Sequence, residues 1–273
     1  MSSKIFAAQY PRDSSGLILF PRDSEYRQQL FPKLVKHPAK NNLFMIDAII
    51  DYITTVGDTI LDPMAGTGSL MIAASKVRRV ILIELEEPFV DNIRLHKNRF
   101  GDNITVIQGD CRKVLPLGHS VDAVIFSPPY GQTLNRGNLD ELEDDLAAGT
   151  PKANNYRSWA RWSYGVADFS RHPDNIARLS EFWQWLALED IYNKCAATLK
   201  PGGILTLITK DHYLKDERVP WALMHHRRCI KAGLVPIDWF KREAVGMYFG
   251  RFLLSKGVKQ VVEEDIMMFR KPS

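Results

Sequence analysis

The stretch "DTILDPMAGTGSLMIAASKVRRVILIE", residues 58 to 84, decides how the rest of the chain is read. DTILD (58–62) has the short apolar run of a buried strand, and RVILIE (79–84) has it again. Between them, PMAGTGSLMIAASK reads as a loop followed by a helix. Strand, loop, helix, strand is a parallel unit, because parallel neighbours need a long crossover. Gly66 and Gly68 let the backbone turn tightly and approach a ligand, while the following helix offers its N-terminal N–H groups. No lysine follows the second glycine, so the loop is not a Walker A loop, and Met71 stands where the dinucleotide fingerprint has its third glycine. A ligand with a ribose but no pyrophosphate suits this loop better.

The alternation continues outward in both directions. Upstream, Leu43, Ile46, Ile50 and Ile53 recur at helical spacing. Downstream, a helix over 87–100 opens with an acidic residue and Pro88, and NITVIQGD (103–110) is again strand-like. VDAVIF (121–126) follows as a strand, then a long polar and aromatic insert, then a helix over 180–199 closed by KPGG before the strand ILTLITK. This pattern predicts an α/β fold with a mostly parallel sheet covered on both faces. YPRDS and FPRDS, ten residues apart, read as two turns rather than a structural repeat. Asp62, Glu84 and Asp110 each end one of the first three strands. Singly, each could be a helix cap or a surface charge. In register they mark the edge where parallel sheets bind ligands, with Glu84, 22 residues after Asp62, placed for ribose hydroxyls and Asp110 for an adenine amino group.

Composition narrows the class. With 273 residues, 45% hydrophobic and 25% charged, the chain is long enough for one large α/β domain with elaborations. No apolar run approaches the ~20 residues of a membrane span, and the N-terminal residues lack a signal-peptide core, so a cytoplasmic protein is expected. Cys111, Cys195 and Cys229 form no C-x-x-C pair, which suggests neither a zinc site nor a disulfide framework, and no metal is expected. The net charge is only +4, yet residues 209–260 hold eleven Lys or Arg against five Asp or Glu. A polyanionic partner and a solvated basic face both fit that excess.

"FSPPYG" (126–131) ends the strand VDAVIF on two residues without a backbone donor. DPMAGTGS, the acidic residues after strands two and three, and SPPY after strand four together resemble the S-adenosylmethionine-dependent amino-methyltransferases of DNA, which methylate an exocyclic base nitrogen. HPAKNN (37–42) is similar to the family's segment at the methionine end of the cofactor, and LKPGGILTLITKD (199–211) to the strand entry common to these enzymes. The resemblance covers roughly residues 33 to 211. It implies a Rossmann-like class I methyltransferase fold, a seven-stranded mostly parallel sheet with one antiparallel strand, for which EDIMMFRK (264–271) is the candidate. It implies S-adenosylmethionine as cofactor, held by His37, Pro38, Lys40, Asp62, Pro63, Gly66, Thr67, Gly68, Glu84 and Asp110, and Ser127, Pro128, Pro129 and Tyr130 as the catalytic residues.

An adenine N6 or cytosine N4 amine is a poor nucleophile because its lone pair is delocalised into the ring. Ser127 Oγ and the Pro128 carbonyl can accept its two N–H bonds, consecutive prolines preorganise those acceptors, and Tyr130 can stack on a base taken out of its duplex, with Gly131 leaving room. Taken alone, the same residues read as a proline-rich turn ending a strand. Methylation at cytosine C5 is disfavoured: it needs a cysteine nucleophile, within a Pro-Cys pair in that family, and here the cysteines follow Asp110, Lys194 and Arg228. Serine at the first motif position is associated in the family more with cytosine N4 than with adenine N6. The expected substrate is therefore cytosine N4 in double-stranded DNA, with N6-adenine, an RNA base, and catalytically silent nucleic-acid binding as alternatives. One methyltransferase domain is expected over 1–273, with 131–180 and 211–260 as candidate target-recognition elements and a second copy of the chain as a candidate partner. Tyr156, Trp159, Trp162, Tyr164 and Phe169 in the first element suit stacking on bases or a local core. HHRR (225–228) in the second suits phosphate contact or a solvated helix end.

Overall fold

A computed structural model of the chain describes residues 4–32, 40–129, 172–214, 217–244, 259 and 261–273. After a short helix α1 (Ser24–Leu30) and the amphipathic α2 (Leu43–Ile53), strand β1 (Thr59–Asp62) enters the glycine loop. A 3-10 helix, Ser69–Lys76, leads to β2 (Arg79–Glu84), α3 (Glu87–His96), β3 (Ile104–Gln108), α4 (Cys111–Val114) and β4 (Val121–Phe126). After residue 171 come a 3-10 turn (Ile176–Arg178), α5 (Glu181–Thr198) and β5 (Leu199–Thr209). A ribbon of β6 (His212–Leu214) and β7 (Glu217–Val219), then α6 (Trp221–Lys231), β8 (Val235–Glu243) and β9 (Glu263–Arg270), complete the described fold.

The main sheet has seven strands in the order β3-β2-β1-β4-β5-β9-β8. Pairs from β3 through β5 are parallel, and β9 runs antiparallel to both its neighbours. This is the seven-stranded, doubly covered architecture expected, with EDIMMFRK supplying the antiparallel strand. Alternation along the strands divides the core: Ile60, Val80, Leu82, Ala123 and Ile125 pack with α2 and the 3-10 helix on one face. Leu61, Ile81, Ile83, Val124 and Phe126 pack with α5 and α6 on the other.

Three elements differ from the sequence reading. The segment after the glycine loop winds as a 3-10 helix, whose ~2 Å rise per residue reaches further than an α-helix of equal length. KPGG lies inside β5 instead of ending a helix, with a register break against β4 between Val121 and Ala123. A side chain at Gly203 would come within 2.9 Å of the Lys200 carbonyl and 3.0 Å of that of Asp122, so only glycine lets the strands approach there. β8 has no counterpart in the sequence reading, because an edge strand containing Pro236 and mostly half-buried or exposed side chains shows no clean alternation. Its outer edge is partly covered by Ile18, whose N–H donates to the Lys241 carbonyl at 3.0 Å and whose carbonyl accepts from Glu243 N at 3.0 Å.

The HHRR reading also changes. His225 is fully buried, its Nδ1 paired with the Tyr192 hydroxyl, and burial pushes its pKa down to about 3. The Arg228 guanidinium lies 3.9 Å over the Trp185 ring. The YPRDS and FPRDS turns split as well: Asp13 accepts from Ser15 N and Leu17 N in a local turn, whereas Asp23 is the N-cap position of α1.

Candidate functional site

β1 and β4 are adjacent at the centre of the sheet, with Leu61 opposite Val124. Their carboxyl ends therefore bring the glycine loop and Ser127-Pro128-Pro129 to one edge, where the sheet order reverses direction. Pro128 is buried, and Ser127 and Pro129 are half-buried. Tyr130 lies outside the described residues, as do His37 and Pro38; Lys40 is exposed.

The loop is held in place from three directions. Gly66 and Gly68 have φ values of 53° and 80°, a left-handed backbone that favours glycine. A Cβ on Gly68 would meet Met71 Cε at 2.8 Å and Ile93 Cγ1 at 2.9 Å. Pro63 and Thr67 are buried, and the Thr67 carbonyl accepts from Asn92 Nδ2 at 3.2 Å. From the N-terminal side, the buried Arg27 donates to Ser69 Oγ at 3.1 Å, to Asp23 Oδ2 at 2.6 Å and to the Asn41 carbonyl. Asp23 Oδ2 also accepts from Leu43 N at 2.9 Å, so one ion pair joins α1, the start of α2 and the glycine loop. Sequence reasoning missed this clasp. Its only local signal is the i,i+4 spacing of Asp23 and Arg27.

Glu84 organises the same loop. Its Oε2 accepts from Gly66 N at 2.6 Å, and its Oε1 accepts from Leu85 N at 2.8 Å and Glu86 N at 2.9 Å. A carboxylate has about four acceptor positions. Three are filled by the backbone, which leaves room for one more donor at Oε2. Burial outweighs these three donors and pushes the Glu84 pKa up to about 7. Asp62, whose Oδ1 accepts from Met64 N at 2.9 Å, is pushed up to about 8 by burial, with the nearby Glu84 charge adding to it.

Asp110 is more committed than a free strand-end carboxylate. It caps α4 through Arg112 N at 2.9 Å, and both its oxygens accept from the Arg112 guanidinium, the shortest contact being 2.7 Å. Arg112 was not a candidate; its position two residues after Asp110 gave no sign of this clamp. Between the ends of β2 and β3 lies a cleft of about 820 Å³, lined by Leu85, Glu86, Pro88, Gln108, Gly109 and Asp110, with His172 and Asp174 also on its lining.

These features fit a nucleoside-bearing cofactor: a glycine loop held in left-handed backbone at the end of β1, an acceptor at Glu84 and a cleft at the ends of β2 and β3. All three cysteines are buried and free, and the described residues contain no cluster of His, Cys, Asp or Glu suited to a metal. No helix among them is long and apolar enough to cross a membrane.

Comparison with known proteins points to the same chemistry. Residues 14–95 match the family described as DNA methylase, of the N6 and N4 type. Over 105 residues, 34% of the chain, it is 34% identical to the tRNA (guanine(10)-N2)-dimethyltransferase of Methanothermobacter thermautotrophicus. That alignment spans 31% of the relative, so the chain matches about a third of its length. Among solved structures, TrmN from Thermus thermophilus superposes with a TM-score of 0.54 at 16% identity, covering 89% of this chain and 53% of that one. A methyltransferase from Pyrococcus furiosus also gives 0.54, at 15% identity, covering 92% and 95%. The fold is that of the class I, Rossmann-like methyltransferases. S-adenosylmethionine is the cofactor that fold and family match support.

Proposed function

We propose that the protein is an S-adenosylmethionine-dependent methyltransferase acting on the exocyclic amine of a nucleic-acid base. The observation that carries this reading is the juxtaposition, at the ends of adjacent strands β1 and β4, of a cofactor-type glycine loop and the Ser127-Pro128-Pro129 turn. Asp62, Pro63, Gly66, Thr67, Gly68 and Glu84 form the cofactor side, with Asp110 shaping the cleft through Arg112. His37, Pro38 and Lys40 are assigned to the methionine end.

The bound cofactor supplies an electrophilic methyl group on a sulfonium. Ser127 Oγ and the Pro128 carbonyl accept the two N–H bonds of the target amine, which draws its lone pair out of conjugation and aims it along the transfer axis. The glycine loop and Glu84 would hold the cofactor while its methyl group passes to the amine nitrogen with loss of the S–C bond, and the amine's surplus proton would pass to solvent. No covalent enzyme intermediate is required. Tyr130 stacks on the extruded base, and 131–180 and 211–260, within a single domain, contact the target.

The DNA methylase match supports DNA as the polymer, and Ser127 at the head of the motif favours cytosine N4 over adenine N6. A second reading, an RNA base, is favoured by the tRNA methyltransferase similarity and would use the same acceptors. Incubation with labelled cofactor and either double-stranded DNA or RNA, followed by nucleoside mass spectrometry, tests both. N4-methylcytidine from DNA is expected as its deoxynucleoside. Methyladenine alone would overturn the base, methylation confined to RNA the polymer, and no transfer to either the proposal.

A further inference from the structure

The segment that rejoins the described chain after residue 171 does more than lead into α5. His172 and Asp174 line the cleft between β2 and β3. Asn175 Nδ2 donates to Glu86 Oε1 at 2.9 Å, while its Oδ1 accepts from Ala177 N at 3.0 Å and so caps the 3-10 turn Ile176–Arg178. Arg112 Nη2 donates to the Asp174 carbonyl at 2.8 Å, and Lys113 Nζ meets Asp174 Oδ2 at 2.6 Å. Behind these polar ties Ile176 is buried in the core cluster that contains Ile83 and Trp185, and Ala177 is buried beside it in sequence. The strap thus bridges the turn after β2, through Glu86, and the start of α4 just beyond the loop after β3, through Arg112.

These are the two loops between which the adenosine end of a cofactor sits when its ribose meets Glu84, since ligands of parallel sheets bind beyond the carboxyl ends of the strands. We infer that the strap His172–Arg178 is the outer wall of the adenosine pocket, and that Asn175 is a positioning residue which holds it there by its bond to Glu86. The inference rests on the cofactor reading above. Local geometry adds a detail: His172 Nδ1 accepts from Asp174 N at 3.1 Å, which leaves the neutral ring's proton on Nε2. The strap lies inside 131–180, the region assigned to target contact, so the pocket for one substrate is finished by the chain that handles the other.

The test is a charge swap read by calorimetry with S-adenosylhomocysteine and with 5′-methylthioadenosine, which keeps the adenosine and lacks the amino-acid end. Asn175→Asp retains the cap on Ala177 but sets a carboxylate against Glu86, and both ligands should weaken by the same factor, about tenfold, equivalent to 1.4 kcal/mol. Glu86→Gln together with Asn175→Asp re-forms a hydrogen bond in the opposite direction and should restore affinity to within about threefold of wild type. Unchanged affinity in Asn175→Asp, or no recovery in the double variant while Glu86→Gln alone binds normally, overturns the inference. A loss confined to thermal stability does so too. Should Asn175→Asp not fold, His172→Ala takes its place: it should weaken both ligands at least threefold, and unchanged binding refutes the wall. If wild type binds neither ligand, the cofactor reading fails instead.

Discussion

Replacing Glu84 by Gln probes the centre of the site with little change of shape. The side chain keeps one carbonyl oxygen for Leu85 N and Glu86 N, but presents an amide N–H to Gly66 N, where the carboxylate accepted at 2.6 Å. One strong bond is lost and a buried donor faces another, which costs about 1 to 3 kcal/mol. For a chain of this length that corresponds to a fall in Tm of roughly 2 to 5 °C. The fourth acceptor position disappears as well, so cofactor affinity should drop about ten- to a hundredfold. The pH dependence gives a second signature. In the folded protein Glu84 titrates near 7 and Asp62 near 8, both above their ordinary values because of burial. A raised carboxyl pKa means that the folded state holds the proton more tightly than the unfolded one. The stability it contributes is complete below the unfolded pKa, near 4, and is lost as pH rises through about 7 to 8. Cofactor affinity moves the other way, because the ionised Glu84 is the better acceptor. Wild-type protein without ligand should therefore melt lower at pH 8.5 than at pH 6, while S-adenosylhomocysteine binds more tightly at pH 8.5. Glu84→Gln should flatten the binding trend and leave only the Asp62 share of the melting trend. The reasoning is refuted if the variant binds within twofold of wild type with the same pH slope.

Gly68→Ala combines a left-handed backbone with contacts of 2.8 and 2.9 Å to Met71 and Ile93; it should destabilise by about 1 to 3 kcal/mol and abolish measurable cofactor binding, checked by denaturant melts and calorimetry. Asp110→Ala removes a helix cap and the partner of Arg112, so affinity and stability should fall together, the latter by about 1 to 2 kcal/mol; loss of affinity with an unchanged melt would mean that Asp110 contacts the cofactor without bracing the fold. Tyr130→Ala should lower turnover on the nucleic-acid substrate by the stacking contribution, about 1 to 3 kcal/mol or five- to 150-fold, with cofactor affinity retained; normal turnover would remove Tyr130 from the site. Tyr192→Phe leaves His225 Nδ1 buried without its partner and should cost about 1 to 3 kcal/mol in a urea melt, with no effect on cofactor affinity.

Most of the parallel core was legible because its information is local. Apolar runs such as Ile60–Leu61, Val80–Ile83 and Val121–Phe126 mark strands covered on both faces, and the left-handed turns at Gly66 and Gly68 are required by any tight loop between β1 and its crossover. That Asp62, Glu84 and Asp110 come at or just past the carboxyl ends of three neighbouring strands followed from that alternation, but their register did not: Asp62 pairs with Leu82, Glu84 pairs with Gln108, and Asp110 lies beyond β3 as the cap of α4. What those carboxylates do did not follow. Glu84 spends three acceptor positions on backbone N–H groups and Asp110 is clamped by Arg112, because the strand ends are buried and every polar group there needs a partner. Arg27 meets Ser69 across 42 residues, and Asn175 meets Glu86 across 89. Neither pair has a period, a spacing or a motif, since such contacts arise only when helices and loops pack onto the same sheet edge. β8 escaped notice for a related reason: an edge strand paired on one side to β9 and touched on the other by Ile18 draws its stability from partners distant in sequence rather than from its own pattern. Local chemistry thus specified the sheet and the loop that faces a ligand, and the packing of remote segments specified the walls around that ligand, because hydrogen-bond satisfaction is a property of the assembled edge and not of any stretch of chain.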